Sequence, residues 1–474
     1  MNPVDVSPEE FRALCERIVE MAVDYLKSMD SRAIPPLESG AEMERTYQAP
    51  LPEAGLREEA LNELADVVRH SRAQNGRFFG YVMGSGELAA AAADLLSSVI
   101  NQNVTAWRSA PAGVTLERTV VGWLARAIGC EGFRGSLTGG GSAANLMALA
   151  MAREATSPSN EAGVRAGGAL AVYASTEAHM SIAKAVALLG IGRDNLRLLP
   201  VDDSFRLVPE RLEESMRRDS ERGIIPLAVV ATAGTVNTGA IDRLREIGNI
   251  AKRHRVWFHI DGAYGALAAI TAPAKFEGLP QADSISLDPH KWLYQPIDCG
   301  CFLYRDATAA QRTFSHSGDY ARALTSDPLE SASFFEESLE LSRRFRALKL
   351  WFSLRYHGLG AFRKAIQKDL AHAQRLGESI AKRRELELMA PIELSAVCFR
   401  YVGDGELPEA RIQAINSDLL RRVIARGKVY LSNATLHGKF CLRACITNHR
   451  TTEGDVDRVP VEVLTAAREI LGGR

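Results

Sequence analysis

This chain has little net charge, few cysteines and no long apolar run, and each shortage excludes a class of protein. Against 57 Lys and Arg stand 58 Asp and Glu, a net charge of −1. No basic excess is present of the kind that neutralises nucleic-acid phosphates. The seven cysteines follow no regular spacing across 474 residues, which suits a reducing compartment and leads us to expect a cytoplasmic protein. The most apolar helix candidate, Ala-rich over 89–93, is short and broken by Asp94, so no membrane span is expected. The first residues lack a basic stretch leading into an apolar run, and no secretion signal is expected either. Metal-ligand spacing is also missing. His437, Cys441 and Cys445 do not form the close pairs of zinc sites, and Cys299-Gly300-Cys301 falls in a strand-like apolar run.

What the chain does have is 46% hydrophobic residues, enough for a large core divided over more than one domain. Ser7-Pro8-Glu9-Glu10 reads as an N-cap, a first-turn proline and a capping-box glutamate. Phe11, Leu14, Cys15, Ile18, Met21 and Tyr25 then recur at helical spacing up to the loop Ile34-Pro35-Pro36. A lone amphipathic helix must bury its stripe, and a second subunit is the expected cover. Short apolar or β-branched runs at Ala169–Ala174, Leu227–Thr232, Val256–Ile260 and Ser284–Leu287 predict strands. A helix is predicted over Asp242–Arg253. This alternation implies a mostly parallel sheet covered on both faces by helices. A further helix is predicted over Ser342–Leu354, then strands at Ala396–Val402, Val429–Leu431 and Phe440–Ile446, and a closing helix over Asp455–Leu471. The expected division is an N-terminal helical segment over 1–88, a large α/β domain over 89–360 and a small α+β domain over 361–474.

Ligands of parallel sheets gather beyond the carboxyl ends of the strands. Four predicted strand ends carry polar groups there: Ser175 to His179, Thr232 to Thr235, Asp261, and Asp288 to Lys291. A lysine amine and a carboxylate so placed are what pyridoxal-phosphate chemistry needs, one to form a Schiff base and the other to keep a pyridine nitrogen protonated. Taken alone, Asp261 could equally cap a helix or bind a metal. The stretch Gly139-Gly140-Gly141-Ser142 precedes a helical run and reads as a phosphate cradle or an ordinary glycine-rich turn. It has neither the Gly-Lys-Ser/Thr ending of a nucleotide loop nor the Gly-x-Gly-x-x-Gly of dinucleotide folds. His179 could stack on a cofactor ring or start a helix. Thr235 could donate to a phenolic oxygen or cap a turn. Tyr320 lies in the polar, turn-rich stretch Ser317-Gly318-Asp319-Tyr320, which reads as a loop.

Together these motifs resemble the group II pyridoxal-phosphate-dependent amino acid decarboxylases, the family of the aromatic L-amino acid decarboxylases. The likeness runs through Phe78-Phe79-Gly80-Tyr81, Trp107 to Pro111, Leu116-Glu117, the glycine loop, Ala178-His179, and His259-Ile260-Asp261-Gly262-Ala263-Tyr264-Gly265. It continues through Pro289-His290-Lys291-Trp292, the 342–351 segment and Leu442-Arg443. The resemblance implies a fold-type I α/β enzyme with a mostly parallel seven-stranded sheet, acting as a homodimer with a shared active site. By matching position it implies that Lys291 carries the cofactor, Asp261 pairs with the pyridine nitrogen and His179 stacks on the ring. Gly141 and Ser142 would hold the phosphate, with Ala263, Thr235 and His290 completing the shell. Asp288 stands where the animal enzymes carry Asn, so its negative charge near the phosphate needs compensation. Tyr320 matches the loop tyrosine that returns a proton to Cα, which favours an amine product over the aldehyde made by relatives with Phe there. Phe78, Phe79, Thr105 and Trp107 match or adjoin substrate-pocket positions. Thr105 replaces a Phe of the animal aromatic enzymes and Arg77 an aromatic residue. Hydroxylated aromatic or non-aromatic amino acids therefore stay open as substrates beside tyrosine, DOPA, tryptophan and phenylalanine.

Overall fold

A computed structural model of the chain describes residues 2, 4–36, 38–164, 168–316, 327, 329–403, 405 and 407–472. Tyr320 lies outside them. The large sheet is built from β1 (Arg134–Thr138), β2 (Leu170–Ser175), β3 (Leu196–Leu199), β4 (Ile225–Thr232), β5 (Trp257–Asp261), β6 (Ser284–Leu287) and β7 (Gly300–Tyr304). Their spatial order is β1-β7-β6-β5-β4-β2-β3. β3, β2, β4, β5 and β6 run parallel, while β7 lies antiparallel to both β6 and β1. The alternating runs predict this mostly parallel sheet, and its seven strands are those that the family resemblance implies.

Alternation along the strands divides the interior. Leu170, Val172 and Ala174 of β2 join Leu149, Ile182 and Val186 on one face. Ala171 and Tyr173 join Val229, Phe258 and Ile260 on the other. Strands buried on both faces read as continuous apolar runs, which is why β2, β4, β5 and β6 were legible within a residue or two. β1 and β3 were not predicted: Arg134-Gly135-Ser136-Leu137-Thr138 and Leu196-Arg197-Leu198-Leu199 are short and interrupted by polar residues. The helix expected over Asp242–Arg253 spans Leu244–His254.

The C-terminal sheet contains β8 (Leu386–Leu388), β9 (Ala396–Tyr401), β10 (Ser432–Leu436) and β11 (Lys439–Cys445), antiparallel in the order β10-β11-β9-β8. Val429–Leu431 is not a strand of this sheet; Tyr430 makes one parallel bridge to Phe78. The helix Leu359–Ala381 serves both cores, giving Phe362 and Ile366 to the large one and Leu376 and Ile380 to the C-terminal one. At the other end, Ser7 and Glu10 cap the helix Pro8–Ser28 reciprocally, as predicted. None of that helix's residues is buried, and Phe11 and Ile18 remain 40% and 45% exposed.

The helix predicted from Ser342 begins only at Arg346 and runs to His357. Tertiary bonds hold the preceding residues off the helix. Arg343 N–H donates to Asn103 Oδ1 (2.8 Å) and Arg343 C=O accepts from Val104 N (2.9 Å). Its side chain is fully buried against Glu117, with Nη2 2.5 Å from Oε1, and also donates to the carbonyls of Val104 and Leu137. Glu117 in turn accepts from Leu137 N on β1 (2.8 Å), and the guanidinium lies 4.4 Å from the Phe334 ring centre. Removing one partner strands a charge in the core. Glu117→Ala is therefore expected to cost about 3–5 kcal/mol in denaturant unfolding. Arg217→Ala, which breaks the exposed pair with Glu221, should leave the midpoint unchanged.

Candidate active site

Two parallel strand ends and one helix start converge. β5 ends at Asp261, and β6 leads through Asp288 into the single-turn helix Pro289–Trp292, which carries Lys291. The 16-residue helix Gly141–Thr156 opens with Gly140 at φ 140°, a conformation that favours glycine, and no side chain caps it. Its first N–H groups are therefore free to bind an anion. The approach is close: a Cβ on Gly141 would stand 2.7 Å from Ala263 Cβ and 3.2 Å from Asp288 Oδ2.

Lys291 Nζ is 2.9 Å from Asp288 Oδ2, and His290 Nε2 is 3.5 Å from the same oxygen. The extra carboxylate thus meets a cation and an imidazole. Its Oδ1 is buried with no hydrogen-bond partner among the described residues. His290 Nδ1 accepts from Cys299 N (3.1 Å), which puts the hydrogen of a neutral ring on Nε2, facing Asp288. Burial lowers the pKa of His290, although Asp288 opposes it.

Asp261 is 5% exposed. Its Oδ1 accepts from Ser286 Oγ (3.0 Å) and Ala263 N (3.2 Å), and its Oδ2 from Asn145 Nδ2 (2.9 Å). His179 begins the helix Met180–Leu188 as its N-cap, with Nδ1 2.8 Å from Ser181 Oγ and accepting from Ser181 N (3.2 Å). Burial lowers its pKa; Asp261 pulls the other way and Lys291 adds to the fall. Asn145, Ser181, His259 and Ser286 were not singled out in the sequence. Each acquires its role only through cross-strand register or helix packing, and His259 stood in the sequence only as the first residue of the stretch that carries Asp261.

Lys291, Asp288, His290, Gly141, Ala263, Asp261 and His179 therefore share one rim. Ser142 is exposed at the start of the same helix. Thr235 is buried in its own turn, with its hydroxyl 2.9 Å from Thr238 Oγ1 and accepting from Ala240 N. Phe78 stacks on Tyr430 at 5.0 Å, and Arg72 lies over both rings. Phe79 turns the opposite way, as neighbours in extended chain do, and fills the C-terminal core with Phe399 and Leu442. That placement differs from the pocket wall expected of it. Thr105 and Trp107 pair through their backbones with Phe334 and Ala332. Among the described residues no hydrogen bond or ion pair joins either to Lys291.

The segment after Phe78 crosses directly over the lysine turn. Gly84 N donates to His290 O (3.1 Å), and a Cβ there would lie 2.3 Å from His290 O and 2.6 Å from Lys291 O.

The donor set fits pyridoxal phosphate: an amine, a carboxylate with spare acceptor capacity, an imidazole and an uncapped helix start. Comparisons with known proteins agree. The pyridoxal-dependent decarboxylase conserved domain matches residues 36–402. An aromatic-L-amino-acid decarboxylase of Bacillus atrophaeus is 30% identical over 479 residues, covering 98% of this chain and 97% of the relative. Tryptophan decarboxylase 2 of Oryza sativa subsp. japonica is 30% identical over 491 residues, covering 100% and 97%. Among solved structures, Oryza sativa TDC with PLP and tryptamine superposes with a TM-score of 0.91 at 27% identity, covering 99% of each chain.

Gly84→Ala should force the Lys291 turn aside. Overpacking of this kind costs about 1–3 kcal/mol, so denaturant unfolding should show a clear loss of stability and titration with pyridoxal phosphate a weaker dissociation constant.

Proposed function

Because the chain belongs to the pyridoxal-dependent decarboxylase family and is a pyridoxal-phosphate-dependent amino acid decarboxylase, we propose that its substrate is an aromatic L-amino acid and its product the corresponding amine. The observation that carries the site assignment is the placement of Lys291 and Asp261 at adjacent parallel strand ends beside the uncapped start of Gly141–Thr156. Relatives that act on aromatic amino acids at about 30% identity over nearly the whole chain support the substrate class.

Bound there, pyridoxal phosphate supplies an electron sink for the pair left at Cα when CO2 departs. Lys291 would provide the amine that holds the cofactor. Asp261 is the partner of the pyridine nitrogen, and its three protein donors orient it. Gly141 and Ser142 hold the phosphate, with Asp288 balanced by Lys291 and His290. Ala263, Thr235 and His290 complete the shell, and His179 covers the ring. Tyr320, assigned from sequence alone, returns a proton to Cα and so directs the product to amine.

A homodimer completes the site. The helix Pro8–Ser28 has no buried residue, and Leu95, Leu96 and Val99 on the helix Leu88–Ile100 are 50–53% exposed. Both faces suit a second copy of the chain. Phe78, Thr105 and Trp107 are assigned to the substrate side of the shared site. Phe79 supports Phe78 from the core. The cysteines are all free thiols, which supports a reducing, cytoplasmic setting. No helix of the described residues is long and apolar enough to cross a membrane.

Borohydride reduction followed by peptide mapping should label Lys291, and Lys291→Ala should lose both the visible chromophore and CO2 release. In a panel of L-amino acids the aromatic ones should be fastest; faster release from an acidic or aliphatic substrate would overturn the substrate class. Burial lowers the pKa of His179 and so favours its neutral ring. With the neutral ring as the working form, kcat/KM should fall along an acid limb that lies below the ordinary imidazole range. The limb should be absent from the residual activity of His179→Gln.

A further inference from the structure

We propose that Asn145 is a positioning residue for Asp261, leaving the carboxylate a single free acceptor site, on Oδ2, for the N–H of the pyridine ring. The inference rests on the reading that Asp261 faces that nitrogen. It goes further by naming the residue that aims the carboxylate and the oxygen that is left available.

Lone pairs decide it. Each carboxylate oxygen has about two acceptor sites. Among the described residues Oδ1 of Asp261 uses both, on Ser286 Oγ and Ala263 N, while Oδ2 uses one, on Asn145 Nδ2. Asn145 is itself 1% exposed. An ionised carboxylate can only accept, so the amide nitrogen of Asn145 must face it; reversed, the amide would bring two acceptors together. The second Nδ2 hydrogen goes to Ser181 Oγ (2.9 Å), and Oδ1 lies 2.9 Å from His259 Nε2.

The orientation then propagates both ways. His259 must carry its hydrogen on Nε2. Burial pushes its pKa down to about 4, so the ring has one proton to place. Its Nδ1 then faces Ser284 Oγ (3.0 Å), which receives Trp257 Nε1–H (2.9 Å) and has its own proton to give, while the Ser284 carbonyl, which can only accept, lies 3.1 Å from the same nitrogen and competes for an Nδ1–H. On the other branch Ser181, having accepted from Asn145, gives its proton to His179 Nδ1. One amide thus holds the carboxylate and the start of the imidazole's helix as a unit.

The test titrates apoenzyme with pyridoxal phosphate and with its 1-deaza analogue, in which CH replaces the ring nitrogen. Wild type should bind the natural cofactor more tightly. Asn145→Ala should weaken pyridoxal phosphate about tenfold, the scale of a hydrogen bond to a charged group, and the deaza analogue less than about twofold. Equal weakening of both would mean a merely structural role and overturn the proposal, while leaving wild-type discrimination intact. Wild type that binds both equally would overturn the pyridine reading of Asp261 and the proposal with it. Should Asn145→Ala fail to fold, wild-type apoenzyme with 15N-labelled histidine rings decides. The Nε2–H tautomer at His259 is expected, and Nδ1–H would show the amide reversed and defeat the proposal.

Discussion

A buried carboxylate accepts hydrogen bonds and never donates them, and that one-way rule at Asp261 orders most of its surroundings. The fold meets the demand through register. β5 and β6 align Asp261 opposite Ser286, which brings a hydroxyl to one oxygen. The turn after β5 returns the Ala263 N–H to the same atom, and the helix Gly141–Thr156 crosses the sheet so that Asn145 reaches the other. A shift of one residue between these strands would turn every side chain to the opposite face. The sheet therefore supplies donors as well as packing.

The second charged centre follows a different economy. Lys291 and Asp288 come from the same turn, 2.9 Å apart, with His290 beside them. A carboxylate 3% exposed cannot stand alone in the interior. The neighbouring cation offsets its burial, as the Glu117–Arg343 pair does more deeply under β1. In both places short-range pairing lets a polar group occupy a position that hydrophobic packing would otherwise claim.

The large sheet was readable because its central strands are buried on both faces and appear as unbroken apolar runs. The polar residues that end those runs marked the rim, so Asp261, Asp288 and Lys291 stood out. Edge and polar segments were harder: Arg134–Thr138, Leu196–Leu199 and Ser432–Leu436 have too few apolar residues to announce a strand. The late start of the helix after Arg343 came from partners more than two hundred residues away. Phe79 was misread because adjacent aromatics on extended chain point to opposite sides. Asn145 and Ser286 carry no signature at all, since their contacts with Asp261 span 116 and 25 residues.

Segments that precede and follow the large sheet meet over the lysine turn. Gly84 rests on the carbonyls of His290 and Lys291, while Cys445 N–H donates to Phe79 O and Thr447 Oγ1 to Met83 O. The lysine turn is thereby held by a segment that precedes the large sheet and, through that segment, by one that follows it, so order in the C-terminal sheet is felt at Lys291.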